Sequence, residues 1–270
     1  MGIDRRDFIK LAGLSTILGL GGKSAFELLR PGQVEAAMEP RPEALQAQRW
    51  SMVVDMRKLD EQTAKKCSEA CHKVHNVPDF KNPIDPKLKV ADEDRVRWEI
   101  KWIWTDPYHN AFPGEEMPHM DEKVEHMQFL LLCNHCDNPP CVRVCPTKAT
   151  FRRDDGIVMM DMHRCIGCRF CMAGCPFGAR SFNWRDPRPF VKEEFPDYPT
   201  REIGVVEKCT FCAERLAKGL MPACVVASQG AMIFGDLNDA KSKVRELLRE
   251  NFTIRRKPFL GTNPQVYYIV

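Results

Sequence analysis

The sequence predicts a loop-rich α+β fold in which short helices and β-hairpins gather around metal-binding thiolates. Three observations predict it. Eleven of the thirteen cysteines fall in three spaced runs, twenty prolines and sixteen glycines punctuate the 270 residues, and the apolar stretches are short and mostly of strand period. A chain of this length can bury an ordinary core, and metal ligation can substitute for part of one.

Two of the runs read Cys133, Cys136, Cys141 and Cys145 with Pro146 behind, and Cys165, Cys168, Cys171 and Cys175 with Pro176 behind. The second has the spacing of bacterial ferredoxins, where three close thiolates hold three corners of a [4Fe–4S] cube and the fourth ligates a neighbouring cube. Such a run implies a reciprocal partner, and the partner lies just upstream. The close thiolates converge on one cube, whereas the last points away, and the proline after it sets the backbone direction without leaving an amide hydrogen unpaired. Exchange of fourth ligands gives Cys133, Cys136, Cys141 and Cys175 for cluster A, and Cys165, Cys168, Cys171 and Cys145 for cluster B.

The third run, Cys209, Cys212 and Cys224, has Ser228 where a fourth cysteine is expected. Upstream, Glu61, Ala64, Cys67 and Cys71 stand at ferredoxin spacing with the first two cysteines replaced. Exchange between these stretches gives one full set for cluster C: Cys209, Cys212, Cys224 and Cys71. The other set, Glu61, Ala64, Cys67 and Ser228, offers a single thiolate and should hold no cube, so these four residues are not ligands. The expectation is three [4Fe–4S] clusters in two ferredoxin-like two-cluster modules, one inserted in the other. Residues 38–125 and 205–250 are the halves of the outer module, 126–187 the inner module, 188–204 a proline-rich linker and 251–270 an extended tail.

Taken in chain order, residues 1–37 read as a twin-arginine export signal. Arg5 and Arg6 precede a glycine-interrupted apolar stretch over 11–20, and Val34, Ala36 and Ala37 offer a small-residue cleavage region. That stretch falls short of the ~20 apolar residues a membrane-spanning helix needs. A route that carries folded chains suits a protein whose clusters are inserted before export. Residues 50–55, apolar and β-branched, predict a strand, and 62–75 a helix carrying Cys67 and Cys71. Val96, Trp98, Ile100, Trp102 and Trp104 alternate with Arg97, Glu99 and Lys101, which predicts a half-buried strand with its tryptophans in the core. A docking face or an electron relay is the other reading of those tryptophans. Segments 150–153 and 157–160 flank Asp154, Asp155 and Gly156, a hairpin signature. Short strands are expected at 179–184 and 231–234, and Asn238 is placed to cap a helix whose Val244, Leu247 and Leu248 share one face.

Other uses of the cysteines fit less well. Zinc ribbons pair two CxxC units across a loop, without the third cysteine or the trailing proline. A disulfide framework belongs to small secreted chains with little core. Cys67, Cys71 and His72 have one residue too many between the cysteines for covalent haem, and Cys67 reads instead as a small buried apolar side chain. The seven histidines lack metal-site spacing and read as surface residues or as neighbours of the cluster loops, His135 and His163 among them. A net charge of +3 with interspersed signs argues against nucleic acid. With no GxGxxG turn, P-loop or nucleophile elbow, no catalytic site of its own is expected.

Cysteine runs in this order over roughly residues 50–235, with Cys133-Asn134-His135-Cys136, Cys165-Ile166-Gly167-Cys168 and Cys209-Thr210-Phe211-Cys212 among them, resemble ferredoxin-type electron-transfer subunits. Those subunits partner molybdopterin oxidoreductases and NrfD-like membrane proteins. An export signal together with a missing cluster is similar, within that group, to the extracytoplasmic iron–sulfur subunits of Dsr membrane complexes in sulfur-metabolising prokaryotes. The resemblance implies a one-electron relay between an NrfD-like quinone-interacting membrane subunit and a multihaem cytochrome or other redox subunit, with membrane contact mainly through these partners. It leaves open the small subunit of an exported molybdopterin oxidoreductase; a zinc-stabilised interaction protein is the alternative from another class. The group's usual four clusters do not carry over, because Glu61, Ala64 and Ser228 break the pattern.

Overall fold

The computed structural model describes residues 41–270 except 82, 84–86, 89 and 115–118, and leaves aside the side chains of 92, 95 and 96. The expected export signal lies outside the described residues. The first half of the described chain runs β1 (Trp50–Asp55), α1 (Glu61–Val74), α2 (Asp92–Arg97), β2 (Ile103–Pro107), α3 (Tyr108–Ala111), α4 (Glu122–Glu125), β3 (Gln128–Leu132), α5 (Pro140–Arg143), β4 (Thr150–Arg152) and β5 (Val158–Met160). Then follow α6 (Phe170–Ala173), β6 (Ser181–Phe182), β7 (Val206–Glu207), α7 (Ala213–Leu216), α8 (Ala223–Ala227), β8 (Met232–Asp236), α9 (Lys243–Glu250), β9 (Thr253–Ile254) and β10 (Val266–Ile269). The class is α+β, with most helices a single turn.

One mixed sheet, in the order β8-β1-β10-β9, organises the larger core. All six residues of β1 are buried, as befits a central strand covered on both faces. On one side lies α1, which starts where the Asp60 carboxylate accepts from Thr63 N and which buries Ala64, Cys67 and Cys71 at helical spacing. On the other, Val244, Leu247 and Leu248 of α9 pack on Val53 and Ile269. The tail that sequence marks only as extended supplies β10, paired parallel to β1 and antiparallel to β9.

Three short antiparallel pairs carry the cysteine loops: β2 with β3, β4 with β5, and β6 with β7. The hairpin at 154–156 forms where the sequence placed it, and Gly156 has φ +84°. A side chain there would also run into the Arg49 guanidinium, so glycine is required twice over.

Two expectations are corrected. The alternation at 96–104 is not one strand: α2 covers Asp92–Arg97, and pairing with β3 starts only at Ile103. A strand needs a ladder partner, and the Lys101 N–H is met by Ser181 Oγ at 2.7 Å, while acidic residues at 92–94 favour a helical first turn. Trp102 is nevertheless fully buried, with Trp98 and Trp104 half-buried. Asn238 does not cap α9. The Asp239 side chain accepts from Lys241 N and its carbonyl from Ser242 N, a turn that delays the helix until Ser242.

Among the described residues no helix is long and apolar enough to cross a membrane. Tyr268 of β10 is fully buried, and its hydroxyl has no hydrogen-bond partner among them. An unpaired buried hydroxyl costs about 1–3 kcal/mol, so Tyr268→Phe is expected to leave the thermal midpoint unchanged or raise it. Tyr268→Ala should destabilise by about 3–5 kcal/mol through the cavity it leaves. Thermal denaturation of the metal-loaded chain checks both.

Candidate metal centres

The structure gathers twelve cysteines into three groups. The last four residues of β3 are buried against β2, which fixes where Cys133 emerges; Cys136 follows a turn, Cys141 lies on α5, and Cys175 comes from the turn after α6. These four thiols line one cavity with Pro139, Pro140, Phe177 and Arg180. Cys145, Cys165, Cys168 and Cys171 line a second with Ala149, Met160, Ile166 and Val206. The third group joins Cys71 from the last turn of α1 to Cys209 and Cys212 before α7 and Cys224 on α8.

Burial pushes all four thiols of the third group up, Cys209 to about 12, and Cys71 is raised further by Cys212, Cys224 and Cys209 in turn. Four thiols buried this close together cannot all ionise in an apolar site. A multiply charged metal core reverses this, because a coordinating thiol is deprotonated outright. Cys145 differs. Burial alone would raise it, but hydrogen bonds from Thr150, Thr147 and Ala149 outweigh burial and hold its thiol below the ordinary range.

The loops are conformed to meet anions. Five of the nine described non-glycine residues with positive φ, namely His135, Lys148, Arg169, Phe211 and Cys212, lie in or beside the cysteine loops. Each such conformation costs about 1–3 kcal/mol and persists only where the surroundings demand it. The return is amide groups aimed at sulfur, as in anion-binding nests: Thr150 N lies 3.5 Å from Cys145 Sγ, and Phe211 N 3.4 Å from Cys209 Sγ.

Buried cations supply a further test of fit. Arg180, Lys208 and Arg256 are all buried. Among the described residues they donate to carbonyls, a hydroxyl and sulfur, and no carboxylate pairs with them: Arg180 with Thr150 Oγ1 at 3.1 Å, Lys208 with the Val158 and Cys209 carbonyls, Arg256 with Ala111 O at 2.8 Å. Buried charge without a counter-charge is costly. Thiolate-ligated iron–sulfur cores are anionic and answer that need, so the residues present fit [4Fe–4S] groups.

Elsewhere in the interior, charge is conventionally paired. Glu207 and Arg201, both fully buried, form an ion pair at 2.7 Å, and Glu207 also accepts from Trp102 Nε1 at 2.9 Å and Asn183 Nδ2 at 2.5 Å. His75 lies against the third group, with Nδ1 2.8 Å from Cys71 O and Nε2 2.9 Å from Glu214 Oε1, stacked on Trp102 at 4.3 Å. Its donors, with those of Cys212 and Glu214, fall within 4.8 Å of one another, but both ring nitrogens are engaged and Cys212 already belongs to the thiol group.

At the position of a fourth group the structure assembles no thiol set. Glu61 is exposed in the first turn of α1, and Ala64 and Cys67 are packed in the core beside Val225 and Ala227. Ser228 Oγ donates to Val225 O at 2.7 Å and accepts from Met232 N at 3.0 Å, while Cys67 Sγ donates to Cys224 O at 3.4 Å. Burial raises the Cys67 thiol to about 11, as for a neutral core residue.

The first group lies between the other two. Arg180 lines the first cavity and its Nη1 lies 3.8 Å from Met160 Sδ, which lines the second, while Cys133 of the first raises Cys209 of the third. His135, between Cys133 and Cys136, stacks at 3.6 Å on Phe211, between Cys209 and Cys212. The second group is the outermost, with Cys145, Cys165 and Cys168 partly exposed and Ile166 68% exposed. Sequence reasoning missed Arg180, Lys208 and the His75–Glu214 pair, for nothing in their spacing distinguishes a buried cation from a surface one.

Comparison with known proteins agrees with this chemistry. Residues 124–189 match the 4Fe-4S dicluster domain. The chain is 38% identical to the iron–sulfur subunit 1 of the Hdr-like menaquinol oxidoreductase of Archaeoglobus fulgidus, covering 98% of this chain and 97% of that one. It is 39% identical to the iron–sulfur subunit of the arsenate respiratory reductase of a Shewanella species (82% and 96% covered), and 31% identical to the NrfC homologue of Haemophilus influenzae (98% and 94%).

The grouping separates the two cysteines of α1. Cys71→Ala is expected to abolish or convert one cluster, lowering iron per chain by up to a third, while Cys67→Ala leaves iron unchanged. Iron determination on the purified variants checks this, and equal loss from both would show that the third group is wrongly drawn.

Proposed function

The chain belongs to the ferredoxin-type iron–sulfur electron-transfer subunits of the NrfC and molybdopterin oxidoreductase group, and on that premise we propose a relay through three [4Fe–4S] clusters. It serves an oxidoreductase complex without a catalytic site of its own. In our reading that complex is a membrane-bound respiratory complex of sulfur metabolism, of Dsr type, and the chain sits on its extracytoplasmic side. The observation that carries the reading is the gathering of twelve cysteines into three groups of four, with Ala64, Cys67 and Ser228 packed where a fourth would lie.

Cys133, Cys136, Cys141 and Cys175 would hold cluster A; Cys145, Cys165, Cys168 and Cys171 cluster B; Cys71, Cys209, Cys212 and Cys224 cluster C. Clusters of this kind supply one-electron chemistry at potentials from roughly −700 to +450 mV, set by hydrogen bonds, charge and exposure. The chain's own part is to fix those terms. Its left-handed loops aim amides at sulfur, the prolines behind Cys145 and Cys175 direct the exchanged ligands, and buried cations balance the anionic cores. A two-module plan, with 126–187 inserted between 38–125 and 205–250, accounts for fourth ligands that come from the neighbouring run.

Partners in this reading are an NrfD-like quinone-interacting membrane subunit and a multihaem cytochrome or other redox subunit, reached after twin-arginine export. The Archaeoglobus relative, named for menaquinol oxidation and matched along nearly its whole length, supports a quinone-linked complex. The arsenate reductase relative, covered to 96%, favours a second reading as the small subunit of an exported molybdopterin oxidoreductase.

Purified chain is expected to hold about twelve irons and as many acid-labile sulfides, three cubes of four, with visible absorption and electron paramagnetic resonance of reduced cubes. Markedly different iron, or zinc in its place, would overturn the cluster reading. Co-purification from membranes decides between the complexes: a polytopic subunit with a multihaem cytochrome supports the first, a pterin-bearing large subunit the second. Replacing Arg5 and Arg6 together by lysine should leave the chain inside the cytoplasm.

A further inference from the structure

We propose that Arg180 is a counter-cation shared by clusters A and B, raising both of their reduction potentials at once. The inference rests on the ligand groups of the proposed function and adds to them a residue that tunes two centres together. Arg180 follows Cys175 by five residues, at the entrance to β6, and is 5% exposed. Its Nη1 donates to Thr150 Oγ1 at 3.1 Å and lies 3.8 Å from Met160 Sδ, whereas Nη2 is buried with no hydrogen-bond partner among the described residues. The guanidinium lines the first cavity with Cys133, Cys136, Cys141 and Cys175, and the Met160 that Nη1 touches lines the second with Cys145, Cys165, Cys168 and Cys171.

A guanidinium does not give up its proton inside a protein, so burial has to be met by an anion. With no carboxylate paired to it among the described residues, the anions are the two thiolate sets. Each one-electron reduction adds negative charge to a core, and a fixed cation beside that core favours the reduced form. Because the fork lines the first cavity and meets Met160 of the second, a single side chain acts on both. Thr150 positions it.

Potentiometric titration followed by electron paramagnetic resonance tests this on metal-loaded Arg180→Gln, Arg180→Lys and Thr150→Val. In Arg180→Gln two of three reduction steps should move to lower potential, each by at least a tenfold change in the ratio of reduced to oxidised cluster, 59 mV for a one-electron couple, with the third unmoved. Lysine keeps the charge but lacks the fork, so one step should return toward the wild-type value and the other stay low. Thr150→Val should lower the same two steps by less. If Arg180→Gln does not retain iron, the lysine and valine variants decide. The proposal fails if no step moves in them, or if Arg180→Gln keeps its iron and moves one step or all three. A wild-type chain without three titrating steps would instead overturn the cluster reading.

Discussion

Thiolates from distant stretches of one chain have to be held together, out of water, although they repel one another. In the third group, Cys71 and Cys224 are separated by most of the described chain, yet both thiols are buried and Cys224 raises the proton affinity of Cys71. As thiolates they can be gathered there only around a multiply charged cation, which replaces the protons and turns mutual repulsion into shared attraction. The metal core together with its thiolates is net anionic, and that explains the rest of the interior. Left-handed loops, amides directed at sulfur and cations without carboxylate partners are all costs in an ordinary core, and each becomes a contribution once an anionic cluster sits beside it.

Regular structure then serves to bring loops to fixed places. The central strand β1 is covered by α1 on one face and by α9 on the other, and the C-terminal strand β10 closes its side, so the helix bearing Cys71 is anchored by residues from both ends of the described chain. The Arg201–Glu207 pair, with Trp102 and Asn183, fixes the approach to Cys209 by hydrogen bonds that leave little freedom of register. A buried ion pair of this kind is weak evidence for net stability, since desolvation offsets much of the attraction. It ties the segment before β7 to the core next to a metal loop.

Around Cys67 the packing is ordinary. Helix α1 continues without distortion through Glu61 and Ala64, Cys67 packs as an apolar side chain, and the Ser228 hydroxyl is taken up by the turn before β8. The third group thus becomes the buried end of the series, joined to the first by the His135–Phe211 stack, and the second group is the end nearest solvent.

Spacing alone grouped Cys175 with Cys133, Cys136 and Cys141, and Cys145 with Cys165, Cys168 and Cys171, as the two cavities are lined, because such grouping follows from distances of a few residues along the chain. The same local signals located β1, α1 and the hairpin around Gly156. They failed where the deciding contact was remote: Trp102 answers to His75 and Glu207 rather than to a strand ladder, and the tail pairs with β1 more than two hundred residues away. Asn238 lost its cap to a neighbouring Asp239 turn, a competition between two equally plausible local signals. The order of the thiol groups, the burial of Arg180 and Lys208, and the packing around Cys67 were decided by tertiary structure alone, since nothing in a residue's neighbours along the chain records which distant side chains will surround it.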